Sequence, residues 1–162
     1  MRQLWAPWRM TYIESDKSGP CILCQKPRAS ADRDNYILER TEHSFVMMNL
    51  YPYSNAHLMV SPYAHVDRLA GLPQAAALDL TLTLARAVER LRAALKAEGF
   101  NVGLNLGKPA GAGIDDHLHF HIVPRWNGDT NYMTLFAEVR VIPEHLDATY
   151  DRLLPYFREP QP

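Results

Sequence analysis

Three histidines alternate with apolar residues in one short stretch of the sequence. Residues 117–123 read His-Leu-His-Phe-His-Ile-Val, a pattern that predicts a β-strand with successive side chains on opposite faces. His117, His119 and His121 would then share one face, about 7 Å apart along the strand. A neutral imidazole near pH 7 can act as a nucleophile or a metal ligand. The pattern therefore indicates a chemical site, with an exposed polar strand face and a three-histidine zinc site as the alternatives.

The two cysteines of the chain form a second candidate site. Cys21 and Cys24 are separated by two residues, the spacing of half a zinc site. A disulfide between them would close too small a loop to add much stability. Thiol redox chemistry is discounted because no strand–helix–strand pattern surrounds the pair. Zinc is the favoured interpretation and needs two further ligands; an unmetallated pair is the alternative.

The elements that must position these residues are short strands around one long helix. Leucine and valine recur at spacings of three and four within residues 73–98, which predicts an amphipathic helix beginning at Pro73. Gly99 is expected to end it in a left-handed conformation. Runs of β-branched, aromatic and other apolar residues between turn residues predict strands, at residues 36–38, 45–48, 57–61, 100–106, 117–123 and 135–142.

The remaining segments complete a single α+β domain over residues 1–162. Residues 1–34 are expected to be irregular, and a short helix is predicted over residues 65–71. A last helix is predicted over residues 143–154, within a C-terminal helix and tail of residues 143–162, because Pro155 cannot continue it. The expected architecture is a mainly antiparallel sheet with one long and one short helix.

Composition excludes several classes of function. The chain has 162 residues, 47% of them hydrophobic, which suits one domain with a real core. A net charge of −1 argues against electrostatic binding of nucleic acid over a large surface, because such binding needs a basic surface. Apolar runs are too short to span a membrane, and the N-terminus does not read as a signal peptide. We therefore expect a cytoplasmic protein, and a small anionic substrate stays possible.

The sequence resembles the histidine-triad (HIT) superfamily of nucleotide hydrolases and transferases. Its motif is three histidines alternating with apolar residues, and residues 117–123 match it at every position. The flanks are similar to the microbial branch related to diadenosine tetraphosphate phosphorylases, at residues 4–10, 49–53, 57–60, 103–107 and 124–129. The resemblance runs from Leu4 to about Met133 and implies a HIT-like α+β fold.

The resemblance implies roles for three histidines. His119 would attack the α-phosphorus of a dinucleoside polyphosphate and form a covalent nucleotidyl-histidine, while its other ring nitrogen donates to a backbone carbonyl. His121 would bind the α-phosphate oxygens and neutralise their charge in the transition state, and His57 would do similar work from a neighbouring strand. Water as the acceptor would make the enzyme a hydrolase, and inorganic phosphate would make it a phosphorylase.

Further residues would bind the substrate. Asn49 matches a family asparagine that hydrogen-bonds the ribose, and Asn105 matches one near the scissile phosphate. Backbone N–H groups of the glycine loop, at Gly111 and Gly113, can approach phosphates closely, and Lys108 would add a positive charge. Many family members carry Ser or Gln where this chain has Gly113, so a side-chain donor to the leaving group is missing.

The resemblance also completes the metal site. Family members with this cysteine pair bind zinc through two histidines that match His65 and His117 here. A structural zinc site of Cys21, Cys24, His65 and His117 would pin the N-terminal segment to the sheet, and no organic cofactor is expected.

Partners and rival functions complete the expectations. Family members are commonly homodimers with the long helix and a nearby strand at the interface, and Trp5 and Trp8 would fit near such a contact. A nucleoside phosphoramidate hydrolase is the alternative enzyme. A non-catalytic nucleotide-binding or zinc-binding module is the alternative of a different class.

Overall fold

Five antiparallel strands form one sheet in the part of the chain that the computed structural model describes, residues 19–129, 142 and 144–158. Their order across the sheet is β1-β2-β3-β5-β4. In chain order the elements are α1 (Ile22–Arg28), β1 (Ile37–Arg40), β2 (Ser44–Met48), β3 (Leu58–Pro62), α2 (Gln74–Leu95), β4 (Gly99–Leu104), β5 (Phe120–Arg125) and α3 (Leu146–Arg158). The predicted α+β architecture is confirmed, with one more helix than expected.

The two faces of the sheet bury different clusters. The larger cluster lies beneath α2 and α3 and includes Leu118 and Ile122 from the triad segment. The smaller one lies beneath α1 and joins Leu23 to residues of the first three strands, namely Ile37, Phe45, Met47 and Met59. The side chains of residues 117–123 therefore alternate between the two faces as predicted, and the apolar ones lie on the face covered by α2.

The long helix α2 ends earlier than predicted. Pro73 precedes the helix as its N-cap, and the left-handed residue is Lys96, with φ 51° and ψ 38°. The prediction for Gly99 is wrong, since it is the first residue of β4. The early turn buries Ala97 at 4% exposure, and the N–H of Glu98 donates to the carbonyl of Arg125 on β5 at 3.0 Å. Tertiary contacts thus override the glycine signal.

Two predictions for the shorter helices are wrong. Residues 1–34 contain α1, and the only helical turn within residues 65–71 is the 3₁₀ turn Leu69–Gly71. The chain before that turn is held beside the triad segment, because the N–H of Leu118 donates to the carbonyl of Val66 at 2.6 Å. This contact brings the neighbouring His65 to the histidine triad.

The C-terminal helix passes through its proline. Helix α3 runs from Leu146 to Arg158 with Pro155 inside it, so both predicted ends are wrong. Proline has no N–H, so the carbonyl of Asp151, four residues earlier, loses its usual helical donor. Both residues are exposed, so water can donate to that carbonyl instead. The last turn buries Phe157, beneath the guanidinium of Arg90 at 5.3 Å. The strand predicted over residues 135–142 lies outside the described residues, apart from Ile142, as do both N-terminal tryptophans.

Strand β5 begins and ends later than predicted. His117 and His119 precede its first residue, Phe120, and Pro124 lies inside it. Pairing with β3 ends at Ile122, so Pro124 lies where β5 has one neighbouring strand, and a proline is tolerated there. No described helix is long and apolar enough to cross a membrane.

Candidate active site

A cavity of about 240 Å³ lies on the α1 side of the sheet and contains two of the triad histidines. Helix α1 forms one wall and the sheet forms the floor, while the loops after β2 and before β5 close the sides. The lining includes Ile22 and Lys26 on α1, Met47 and Met59 on the floor, and His119 and His121 from the triad segment.

The backbone fixes the tautomer of His119. Nδ1 of His119 lies 2.9 Å from the carbonyl oxygen of His117, and a carbonyl only accepts, so Nδ1 carries the proton. The lone pair is then on Nε2, the nitrogen that a nucleophilic role requires. Burial lowers the pKa of His119, although the bond to the His117 carbonyl opposes the shift. The ring is therefore neutral at pH 7, as attack on phosphorus demands.

A hydrogen-bond chain fixes the opposite tautomer in His121. The backbone N–H of Tyr53 donates to Nδ1 of His57 at 3.1 Å, so His57 carries its proton on Nε2. That nitrogen lies 2.9 Å from Nδ1 of His121 and donates to it. Neutral His121 consequently carries its proton on Nε2, where it is a hydrogen-bond donor.

His57 is placed behind His121. Its side chain is 1% exposed, and the hydrogen bonds with Tyr53 and His121 engage both of its ring nitrogens. The ring of Tyr53 stacks on it with centroids 4.7 Å apart. Direct contact of His57 with phosphate oxygens, as the resemblance implies, does not fit this geometry. We infer that it positions His121 instead.

Asn49 lines the cavity at the end of β2. Its Oδ1 accepts the backbone N–H of Tyr51 at 2.9 Å, and its Nδ2 lies 3.4 Å from Nδ1 of His57. The amide is thereby oriented at the rim of the cavity. This placement is compatible with the predicted contact to a ribose, which stays a prediction.

The glycine loop lies along the triad side of the cavity. Gly111 and Gly113 line it, and Gly111 has φ +89°, a conformation that favours glycine. A Cβ at Gly111 would lie 3.9 Å from Nδ2 of Asn105, which places that asparagine beside the loop. Lys108 does not line the cavity: its side chain is 79% exposed and its Nζ lies 3.7 Å from the carboxylate of Asp115. The structure does not bring this predicted cation to the site.

The four predicted metal ligands come together. One donor atom from each of Cys21, Cys24, His65 and His117 lies within 4.8 Å of the others. Nδ1 of His117 is 3.3 Å from Sγ of Cys21 and 3.4 Å from Sγ of Cys24, and Nδ1 of His65 is 3.3 Å from Sγ of Cys24. Ideal tetrahedral zinc places sulfur and nitrogen ligands about 3.5 Å apart, as follows from its bond lengths. The donor set therefore fits zinc.

Outer contacts orient both histidines for a metal. Nε2 of His117 lies 2.9 Å from the carbonyl of Pro62 and donates to it, which leaves the lone pair on Nδ1, toward the cysteines. Nε2 of His65 lies 3.5 Å from the carboxylate of Asp116. Carbonyl and carboxylate partners of this kind orient metal-bound histidines. Burial also lowers the pKa of His117 and favours the neutral ligand.

Several residues that line the cavity escaped sequence reasoning, among them Ile22, Lys26 and Tyr53. Ile22 and Lys26 were missed because a helix of seven residues carries too little periodicity to identify. Their spacing of four is the one available signal, since it places both side chains on one side of a helix. The amide of Tyr53 has no sequence signal, because its role depends on the path of the loop after β2.

Comparison with known proteins identifies the family and several relatives of this chain. The profile of the family described as HIT domain matches residues 31–128. An AP-4-A phosphorylase of Mycobacterium tuberculosis is 35% identical over 158 residues, which cover 92% of this chain and 80% of that protein. An adenosine 5'-monophosphoramidase of Saccharomyces cerevisiae is 30% identical over 106 residues, covering 65% of this chain and 62% of that protein.

A solved structure shares the fold. The Zn-bound histidine triad family protein of Mycobacterium smegmatis superposes with a TM-score of 0.67 at 23% identity. The similarity covers 85% of this chain and 92% of that one.

Proposed function

Because this chain belongs to the HIT domain family, we propose that it is a nucleotidyl hydrolase or transferase that acts on the α-phosphate of dinucleoside polyphosphates. Diadenosine tetraphosphate is the member of this class that we test first, because the 35% identical relative is described as an AP-4-A phosphorylase. The observation that carries the proposal is the pair of opposite tautomers in one cavity. His119 offers a lone pair on Nε2, and His121 offers a proton on Nε2.

The first step forms a covalent intermediate. Nε2 of His119 attacks the α-phosphorus, so a P–N bond forms while the bond from phosphorus to the bridging oxygen breaks and the remaining nucleotide leaves. The His119 ring becomes cationic, and its Nδ1–H bond to the His117 carbonyl stabilises that charge. The Nε2–H of His121 donates to an α-phosphate oxygen, where negative charge develops.

The second step releases His119. An acceptor oxygen, from water or inorganic phosphate, attacks the same phosphorus and the P–N bond breaks. The electron pair returns to Nε2 of His119 and the acceptor loses its proton to solvent. No side chain on the Gly113 position assists the leaving group, so we assign that task to backbone N–H groups of the glycine loop.

Product analysis tests this function. Wild type and His119→Ala are incubated with diadenosine tetraphosphate, with and without inorganic phosphate. ADP and ATP formed only with phosphate identify a phosphorylase, whereas AMP and ATP formed without it identify a hydrolase. His119→Ala should lose at least about 10³-fold in kcat, and exposed His145→Ala is the matched control. Turnover that survives His119→Ala refutes the covalent mechanism.

Nucleoside phosphoramidates are the second candidate substrates. The yeast relative described as an adenosine 5'-monophosphoramidase supports them. They present the same α-phosphorus with an amine as leaving group. Cleavage of adenosine 5'-phosphoramidate without cleavage of diadenosine tetraphosphate would favour this substrate class. Failure of both substrates, with nucleotide binding retained, would favour a binding module.

We further propose that Cys21, Cys24, His65 and His117 hold a structural zinc ion. The distances among the donor atoms and the outer contacts of both histidines support this assignment. Four protein ligands would close the coordination shell, so the ion would supply no open position for chemistry. Its contribution would be to hold α1 against the triad segment.

We also propose that the chain forms a homodimer through the free edge of β4. This strand pairs only with β5 among the described strands, and Val102 and Leu106 are 44% and 51% exposed beside it. An exposed strand edge flanked by apolar side chains is a ready template for pairing with another chain. A second copy of this chain is the partner we favour.

A further inference from the structure

Helix α1 runs across the sheet from the metal ligands toward the opposite edge. The residue before the helix is Cys21, whose Sγ lies 3.3 Å from Nδ1 of His117. Near its other end, the carbonyl of Pro27 accepts a hydrogen bond from Arg40 of β1 at 2.8 Å. Strand β1 is the far edge of the sheet, three positions from β5. Lys26, which precedes Pro27, therefore lies at the end of the cavity remote from the triad.

The floor of the cavity follows the same direction. His121 is paired in register with Met59, and Met59 is paired with Met47 on the next strand. These three side chains form a row from the catalytic pair to the region beneath α1, and all of them line the cavity. A nucleotide with its α-phosphate at His121 would extend along this row, with its base over the two methionines and its far edge toward Lys26.

The ammonium of Lys26 has no polar partner among the residues that the structure describes. No ion pair or hydrogen bond joins it to another side chain or backbone group of residues 19–129, 142 or 144–158, although the side chain is half-buried. Of the described residues that line the cavity, it alone belongs to the lysine and arginine class. Burial lowers the pKa of Lys26. A partly desolvated ammonium without a partner is stabilised by a ligand that supplies hydrogen-bond acceptors.

We propose that Lys26 is a specificity-determining residue that donates hydrogen bonds to the nucleobase and favours guanine over adenine. The proposal rests on the proposed function, because it takes the orientation of the nucleotide from the α-phosphate site. Lysine has three N–H donors and no acceptor. Guanine presents two adjacent acceptors, O6 and N7, whereas adenine replaces the first with an amino donor. The Lys26 ammonium is therefore complementary to this edge of guanine, whereas on adenine it would face another donor.

Relative specificity tests the proposal. The ratio of kcat/KM for diguanosine tetraphosphate to that for diadenosine tetraphosphate is measured in wild type and three variants. Lys26→Met, which keeps the aliphatic stem, should lower the ratio about tenfold. Lys26→Arg should preserve the ratio, since arginine also donates to O6 and N7. Lys26→Gln should shift it toward adenine, which glutamine pairs at N6 and N7. Exposed Lys96→Met is the matched control and should leave the ratio unchanged.

Two outcomes overturn the proposal. If Lys26→Met lowers both kcat/KM values equally, the ammonium binds a group common to both substrates, such as phosphate. If it changes neither value, Lys26 does not contact the substrate. Thermal unfolding of each variant verifies that it is folded.

Binding measurements separate this proposal from the proposed function. GMP and AMP are titrated calorimetrically into His119→Ala, with and without Lys26→Met. A tenfold loss of GMP affinity relative to AMP supports the role of Lys26, even if wild type turns over neither dinucleotide and the proposed function fails. Turnover of both dinucleotides, with ratios of kcat/KM and of affinity that Lys26→Met leaves unchanged, supports the function and refutes the role of Lys26.

Discussion

At the scale of single residues, the histidines differ in which ring nitrogen carries the proton, and this difference determines their roles. His119 carries its proton on Nδ1, whereas His57 and His121 carry theirs on Nε2. A backbone carbonyl makes the assignment for His119 and a backbone amide makes it for His57, whose ring in turn makes it for His121. The nucleophile and the phosphate-binding donor therefore need no neighbouring carboxylate to hold them in their working forms.

The chain from Tyr53 through His57 to His121 leads to the first prediction. His57→Ala removes the donor to Nδ1 of His121, so that ring can rotate or adopt the other tautomer and lose its donor toward the phosphate. We expect kcat to fall on the order of 10²-fold, while the substrate affinity changes much less. His145→Ala, the removal of an exposed histidine, should leave kcat unchanged. Steady-state kinetics measure kcat and KM for both variants. A change in His57→Ala that is confined to KM would contradict the positioning role.

Sequence reasoning at this scale identified residue types better than their partners. The spacing of His119 and His121 is sufficient to predict a shared face, because alternation is a local property of extended chain. The carbonyl that holds His119 and the amide that orients His57 are backbone groups, and nearly every residue of the chain carries the same groups. Only the folded path of the chain decides which of them meets a given ring.

Among the secondary-structure elements, α1 couples the metal cluster to the cavity. The residue before the helix and the third residue within it, Cys21 and Cys24, face the metal cluster. Ile22 and Lys26, on another side of the same helix, line the cavity. A seven-residue helix has little intrinsic stability in water, so its position depends on packing of Leu23 and on the proposed zinc.

Removal of the metal is the second prediction. Wild type should contain one zinc ion per chain by elemental analysis, and Cys24→Ala should lose it. The variant should unfold at a temperature lower by more than about 4 °C, with faster amide hydrogen exchange in residues 22–28 than in the sheet. His43→Ala, a histidine outside the cluster, should keep the zinc. A wild-type protein purified without zinc, and unchanged by adding it, would contradict the assignment.

The ends of the elements were the least predictable part of the fold. Helix α2 was evident from its apolar spacing, since a long run of apolar residues three and four apart suits neither a strand nor a loop. Its end at Lys96, and the passage of α3 through Pro155, contradict local signals. In both cases burial of a later residue, Ala97 or Phe157, outweighs the local preference.

On the scale of the whole molecule, β4 has a neighbouring strand on one side only, β5, among the strands that the structure describes. The third prediction concerns this edge. Wild type should sediment at twice the mass of a single chain, and Val102→Lys should shift it toward the monomer, because a charge at the strand edge opposes pairing. Leu69→Lys replaces another exposed apolar residue, away from β4, and should leave the sedimentation unchanged. A monomeric wild type at micromolar concentration would contradict the proposed dimer.

The order of the strands was beyond local reasoning. An antiparallel sheet with one long helix was predicted from strand and helix signals. The position of β5 between β3 and β4 depends on contacts between residues far apart in sequence. That order brings His57 beside His121, and the resemblance to a known family, not the spacing of residues, anticipated their proximity.

The distance in sequence between the metal ligands has a consequence for synthesis of the chain. Cys24 and His117 are 93 residues apart, so a bound ion would cross-link a loop that spans more than half of the protein. Such a link restricts the unfolded ensemble much as a distant disulfide does. During translation, however, both thiols emerge long before His117, and they remain without this ligand until most of the domain has left the ribosome.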